Sequence, residues 1–172
     1  MERHSIEAIV SALNRANVRY LIVGGLAVVA HGYVRLTADI DLVLDLEAGN
    51  VARALPALKQ LGYRPRAPVQ LEEFADPQKR AEWVRDKGLT VFSLYSAEHV
   101  ATEVDLFVEA PLDFEAAYAA AAAMEVAPGL VATFVGLSDL LRLKRQAGRT
   151  QDRLDIEQLE ALHRARGGGH PG

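Results

Sequence analysis

The segment Tyr20–Leu44 constrains the fold more than any other part of the chain. An apolar run, YLIV at 20–23, ends abruptly at Gly24-Gly25. Leu26–His31 then has the length and composition of a short helix, with Gly32 as a natural C-cap residue. Ile40–Leu44 reads as a second strand, yet Asp39 and Asp41 interrupt the apolar pattern one residue apart. Strand side chains alternate, so both aspartates project from one face. Like charges that close repel, and burial makes each costlier to ionise. A strand built this way needs a cation.

The rest of the chain supplies elements to flank that segment. Ser5 suits the N-cap of a helix running to about Asn14, with Ile6, Ile9, Val10 and Leu13 at helical spacing. Leu46–Leu61 reads as an amphipathic helix closed by Gly62, and residues 64–75 as a loop or edge strand. Asp76-Pro77 opens a helix to about Lys87, ended by Gly88. Leu89–Leu94 and Thr102–Val108 are apolar and β-branched and read as an antiparallel pair. Asp113 caps an alanine-rich helix over 114–123, and 124–134 gives one or two strands broken at Pro128-Gly129. Helices opening at Ser138 and Thr150 make a C-terminal hairpin, and the tail 167–172 is expected to be disordered. The expectation is one α/β (α+β) domain over 1–166, with a central mixed β-sheet flanked by helices.

Composition narrows the chemistry. The chain has no cysteine, which removes disulfides, zinc-thiolate sites and thiol nucleophiles. A net charge of −4 argues against whole-surface nucleic-acid binding, though not against a local basic patch. No apolar run reaches membrane-spanning length and the N-terminal residues hold no apolar signal core, so no membrane association and a cytoplasmic location are expected.

Asp105 extends the carboxylate set. It stands between Val104 and Leu106 in TEVDLFVEA, and it faces Asp39 and Asp41 if the two strands adjoin. Glu103 has the same parity and is the alternative third member. Hard oxygen ligands favour magnesium or manganese, and three converging carboxylates can hold two such ions for phosphoryl transfer. Gly24-Gly25, between strand and helix, offers bare amides that attract phosphate. The competing reading seats the aspartates in a turn or edge, paired with arginines such as Arg35. Arg35 either contacts a triphosphate or neutralises the carboxylates, and Thr37 is first a β-former and second a nucleotide contact. His31 reads as a capping or packing residue.

Strand, GG, helix, then Asp-Ile-Asp on the next strand and a later apolar-flanked Asp, resembles the DNA polymerase β-like nucleotidyltransferase superfamily. The finer string GG-L-A…H-G…R-L-T-A-D-I-D-L is similar to small bacterial members. Those include lincosamide and aminoglycoside nucleotidyltransferases and toxins of abortive-infection systems. The resemblance spans roughly residues 20–108, with a looser echo at 138–157. It implies that Asp39, Asp41 and Asp105 bind two Mg2+ (or Mn2+) ions, and that Asp105 serves as general base. It implies further that Gly24 and Gly25 hold the triphosphate of an NTP. The acceptor is left open between a small molecule and an RNA or protein, the latter suggesting a toxin with an antitoxin partner. Many superfamily members carry Gly-Ser at the turn, so Gly25 removes one hydroxyl contact, although the small subgroups also carry GG.

Two charged stretches remain. In LSDLLRLKRQAGRTQDRLDIEQL, a hairpin laced by ion pairs accounts for Asp152, Asp155 and two of the cations, while Lys144 is assigned to nucleotide phosphate. Lys79, Arg80, Arg85 and Lys87 around Trp83 read as a solvated face, with RNA binding as the minority role. Two other functions compete with transfer: a catalytically silent nucleotide- or partner-binding member of the same fold, and a metal-dependent phosphohydrolase.

Overall fold

The computed structural model describes residues 2–167. Seven strands form one mixed sheet: β1 (Tyr20–Val23), β2 (Asp39–Leu44), β3 (Arg64–Pro65), β4 (Val91–Tyr95), β5 (Glu103–Phe107), β6 (Ala122–Ala127) and β7 (Leu130–Phe134). Their order across the sheet is β3-β4-β5-β2-β1-β7-β6. The pairs β2/β5 and β1/β7 are parallel, and the other neighbours are antiparallel. The helices are α1 (Arg3–Arg15), α2 (Gly24–Ala30), α3 (Ala48–Gln60), α4 (Pro77–Lys87), α5 (Phe114–Ala119), α6 (Leu137–Ala147) and α7 (Thr150–Gly167), with a 3₁₀ turn at Leu71–Ala75.

The burial pattern explains the order. All four residues of β1 are buried, as a strand with neighbours on both edges and cover on both faces requires. β4 and β5 instead alternate, burying Phe92, Leu94, Val104 and Leu106. Their other face carries Ser93, Glu103 and Asp105. In β2 the same alternation buries Ile40 and Leu42 fully and leaves Asp39 and Asp41 half-buried on the opposite face. Helix α1 packs on α3 and β7, α2 on β2 and α6, and α6 on α7 in the expected hairpin.

Local signals placed several helices where expected. Asp76 caps α4 through the Gln78 amide, Pro77 is its first residue, and Gly88 ends it in the left-handed region. Asp113 caps α5 through the Ala116 amide. Other expectations are corrected. Ser5 is not a cap: α1 begins at Arg3, and Ser5 is buried within it, its hydroxyl 2.9 Å from Nδ1 of His99. Helix α2 starts at Gly24 rather than Leu26, and α3 starts at Ala48, capped by Glu47 through the amides of Gly49 and Asn50. The alanine run 114–123 is not one helix, because Ala122 and Ala123 pair with Phe134 and Thr133 and open β6. Helix α6 opens at Leu137, one residue before Ser138, and runs to Ala147. Gly167 is the last residue of α7, and 168–172 lie outside the described residues. Among the described residues no helix is long and apolar enough to cross a membrane.

Candidate functional site

Sheet order decides whether the three aspartates meet. β2 and β5 adjoin in parallel, with Asp41 opposite Asp105 and Asp39 opposite Glu103. Four acidic side chains therefore share one face of two neighbouring strands, and opposite residues in a ladder stand side by side. Glu103 separates from the set: its carboxylate accepts from Nε of Arg66 at 2.9 Å and from a second Arg66 nitrogen. That hydrogen bonding holds its carboxyl below the usual range. Of the two alternatives for the third member, Glu103 has its own cation and Asp105 does not.

The electrostatics of Asp39 and Asp41 run the other way. Burial, then the charges of Asp105 and Asp39, push the Asp41 carboxyl up to about 6, against a weaker pull from Lys144 and Arg149. Burial, then Asp105 and Glu103, also raise Asp39. Asp105 Oδ1 is buried without a hydrogen-bond partner, a state that costs stability unless something outside the chain satisfies it. Hard anionic oxygens short of positive charge are the donor set that suits magnesium or manganese, so the residues present fit such an ion. Among the described residues, however, no three or more His, Cys, Asp or Glu side chains are drawn together as a ready metal cage.

The glycines fit around these side chains. Gly24 has φ +65°, and a Cβ there would stand 1.9 Å from Asp41 Oδ2. At Gly25 a Cβ would stand 2.6 Å from Thr37 Oγ1 and 3.0 Å from a terminal nitrogen of Arg35. The turn is bare because Asp41, Thr37 and Arg35 lie against it. Together these residues line a cleft of about 370 Å³ that also takes in Asp39, Asp105, Lys144, Arg149 and Gln151.

Arg35 and Lys144 both line the cleft, and both are already ion-paired there. Arg35 does not neutralise Asp39 or Asp41. One of its terminal nitrogens donates to Asp155 Oδ2 at 3.0 Å, and Nε lies 2.9 Å from Oδ1 without the alignment of a hydrogen bond. Lys144 is buried, its Nζ 2.9 Å from both Asp152 Oδ1 and Asp155 Oδ2. Burial works to raise the two carboxyls. Hydrogen bonds from Arg149 and Lys144 to Asp152, and from Lys144 and Gln151 to Asp155, outweigh it and hold both below the ordinary range. The ion-paired hairpin reading thus describes this stretch, including Arg142 on Asp139 and Arg145 on Glu160. A nucleotide contact from Lys144 has to compete with two carboxylates already on it. Thr37 lies in the segment before β2, its hydroxyl 3.5 Å from the Asp39 carbonyl oxygen. His31 packs as expected, Nε2 lying 2.8 Å from the Val135 carbonyl oxygen.

The sequence reading gave no cleft role to Arg149 or Gln151 and placed Arg80 on the wrong side of the surface. Arg149 and Gln151 line the cleft, although both lie in the basic string that was singled out. Arg80 does not belong to a solvated face: it is buried, donates to the Phe74 carbonyl at 2.5 Å, and lies over the Phe74 ring. Compared with known proteins, the chain matches no protein-family model and no curated protein.

Proposed function

We propose that the protein is a nucleotidyltransferase that moves a nucleoside monophosphate from an NTP to an acceptor hydroxyl and releases pyrophosphate. One observation carries this reading: Asp41 and Asp105 stand level on adjacent parallel strands, one carboxyl pushed up to about 6 and the other with a buried, unpartnered oxygen. Asp39, Asp41 and Asp105 hold the divalent ions, whose contribution is to neutralise charge on the transferring phosphate. Gly24 and Gly25 let the phosphate chain approach the backbone, and Thr37 and Arg35 border it. Asp105 takes the proton of the acceptor hydroxyl as its oxygen bonds to the α-phosphorus. The bond from that phosphorus to the pyrophosphate oxygen breaks as the new one forms.

Titration of a non-hydrolysable NTP with magnesium or manganese tests this directly. Saturable binding is expected, and Asp41→Ala abolishes it. If no Asp41-dependent binding appears, catalysis by this face is rejected.

A second reading has its own support. The three aspartates are not gathered into a ready cage, and Arg35 and Lys144 are spent on Asp155 and Asp152. A catalytically silent nucleotide-binding protein has no need of a gathered site. It predicts tight NTP binding with no pyrophosphate released against any acceptor pool.

A further inference from the structure

A transfer between two substrates needs two sites that meet at the reacting phosphorus, and the fold provides a second one. Beside Asp41 and Gly24, which line it, lies a cavity of about 280 Å³. Its walls are Val23, Phe107, Pro111, Leu140, Leu143 and Ala147. Gly24, Asp41, Lys144, Arg149 and Asp152 border both this cavity and the carboxylate cleft, so the two spaces adjoin across them. The polar cleft, with Thr37, Arg35 and Gln151, suits a nucleotide. The apolar cavity suits an uncharged ring, since ligand sites are mostly apolar with a few placed polar groups.

The charged surfaces argue against a nucleic-acid acceptor. Each of the basic residues Arg142, Arg145 and Arg149 has an acidic partner, on Asp139, Glu160 and Asp152. Lys79 and Arg85 are likewise paired with Glu82 and Asp86. Phosphate contacts drive nucleic-acid affinity, and cations already engaged with acids serve it poorly.

We infer that the acceptor is a small molecule with an uncharged, largely apolar ring and a hydroxyl, seated in the cavity beside Asp41. The ring lies against Leu140, Leu143 and Phe107, and the hydroxyl points to the dividing wall at Gly24 and Asp41. Its oxygen bonds to the α-phosphorus, its proton passes to Asp105, level with Asp41 on the neighbouring strand, and pyrophosphate leaves with the electron pair of the broken bond. The acceptor role rests on the nucleotidyltransferase reading.

The test uses the full chain and 2-naphthol, an uncharged ring with one hydroxyl, followed by the methyl resonances of Val23, Leu140 and Leu143. Saturable shifts at these methyls are expected, with no displacement by the NTP analogue. Ala147→Phe fills the cavity from the exposed end of α6 and weakens 2-naphthol roughly tenfold while nucleotide affinity stays unchanged. Leu143→Phe, one turn back on the same face of α6, gives the same result. Displacement by the NTP analogue, or loss of nucleotide affinity in Ala147→Phe, overturns the inference by assigning the cavity to the nucleotide base. Binding of tRNA that falls steeply with salt, without any 2-naphthol shift, overturns it in favour of RNA. Ring binding in a protein that binds no nucleotide rejects the transferase reading and the acceptor role with it. Nucleotide binding without ring binding rejects this inference alone.

Discussion

Two groups of buried charge lie within one cleft, and the chain treats them oppositely. On α6 and α7, Lys144, Asp152 and Asp155 are almost wholly buried, and each carboxylate has cations of its own. On β2 and β5, Asp41 and Asp105 face each other with no cation between them, and Asp105 keeps an unpartnered oxygen. Breaking a buried pair leaves an uncompensated charge, so the first group is a structural joint. The second group is left without a cation, as expected of the external-cation site proposed above and unlike a salt bridge.

The largest expected effect breaks the joint. Lys144→Met leaves Asp152 and Asp155 short of their shared cation and costs about 3 kcal/mol in a denaturant melt. The cost sits at the low end of such changes because Arg149 and Arg35 remain in place. A melt unchanged by this substitution would erase the contrast between the two regions.

Next in size is the pH response, where the two groups have opposite signs. Asp152 and Asp155 bind protons less readily folded than unfolded, so they stabilise the fold above the ordinary carboxyl range, and that is lost on acidification. Asp41, at about 6, binds its proton more readily when folded. It therefore destabilises increasingly as pH rises from about 4 to about 6, by no more than about 3 kcal/mol. Asp41→Asn is expected to be more stable than the parent at pH 7 and equal to it below pH 4, read as melting midpoints across that range.

A divalent ion should relieve the same strain from outside. Magnesium or manganese at about ten times its dissociation constant stabilises the protein by about 1.4 kcal/mol, and Asp41→Asn removes most of that gain. An equal gain in the variant places the ion elsewhere. The smallest effect is expected at the rim: Arg66→Ala frees Glu103, raises Asp39 further, and moves the melt little, since exposed pairs contribute little.

Much of the architecture was readable because its signals are local. Asp76, Pro77 and Gly88 bracket α4 within thirteen residues, and two nearby apolar, β-branched runs identified β4 and β5 as an antiparallel pair. Several failures share one cause, a partner outside the local segment. Ala122 and Ala123 favour helix by themselves, but pairing with β7 overrides that preference. Ser5 looks like a cap until His99, 94 residues away, takes its hydroxyl. Arg35 looks available to Asp39 until Asp155, 120 residues on, claims it. The meeting of Asp41 with Asp105 depended likewise on strand order, which the spacing left as a condition and the sheet fulfils.

The contact between Gly24 and Asp41 has a consequence for how this protein can change. A methyl at position 24 would occupy the space of the Asp41 carboxylate and would also sit on a backbone with φ +65°. Each position therefore restricts the other, and their substitutions will not combine additively. In a library randomised at both, side chains at 24 should be recovered mainly beside a shortened residue at 41. The steric contact thus ties the turn and the carboxylate together, and a change that shortens residue 41 also opens the space beside position 24.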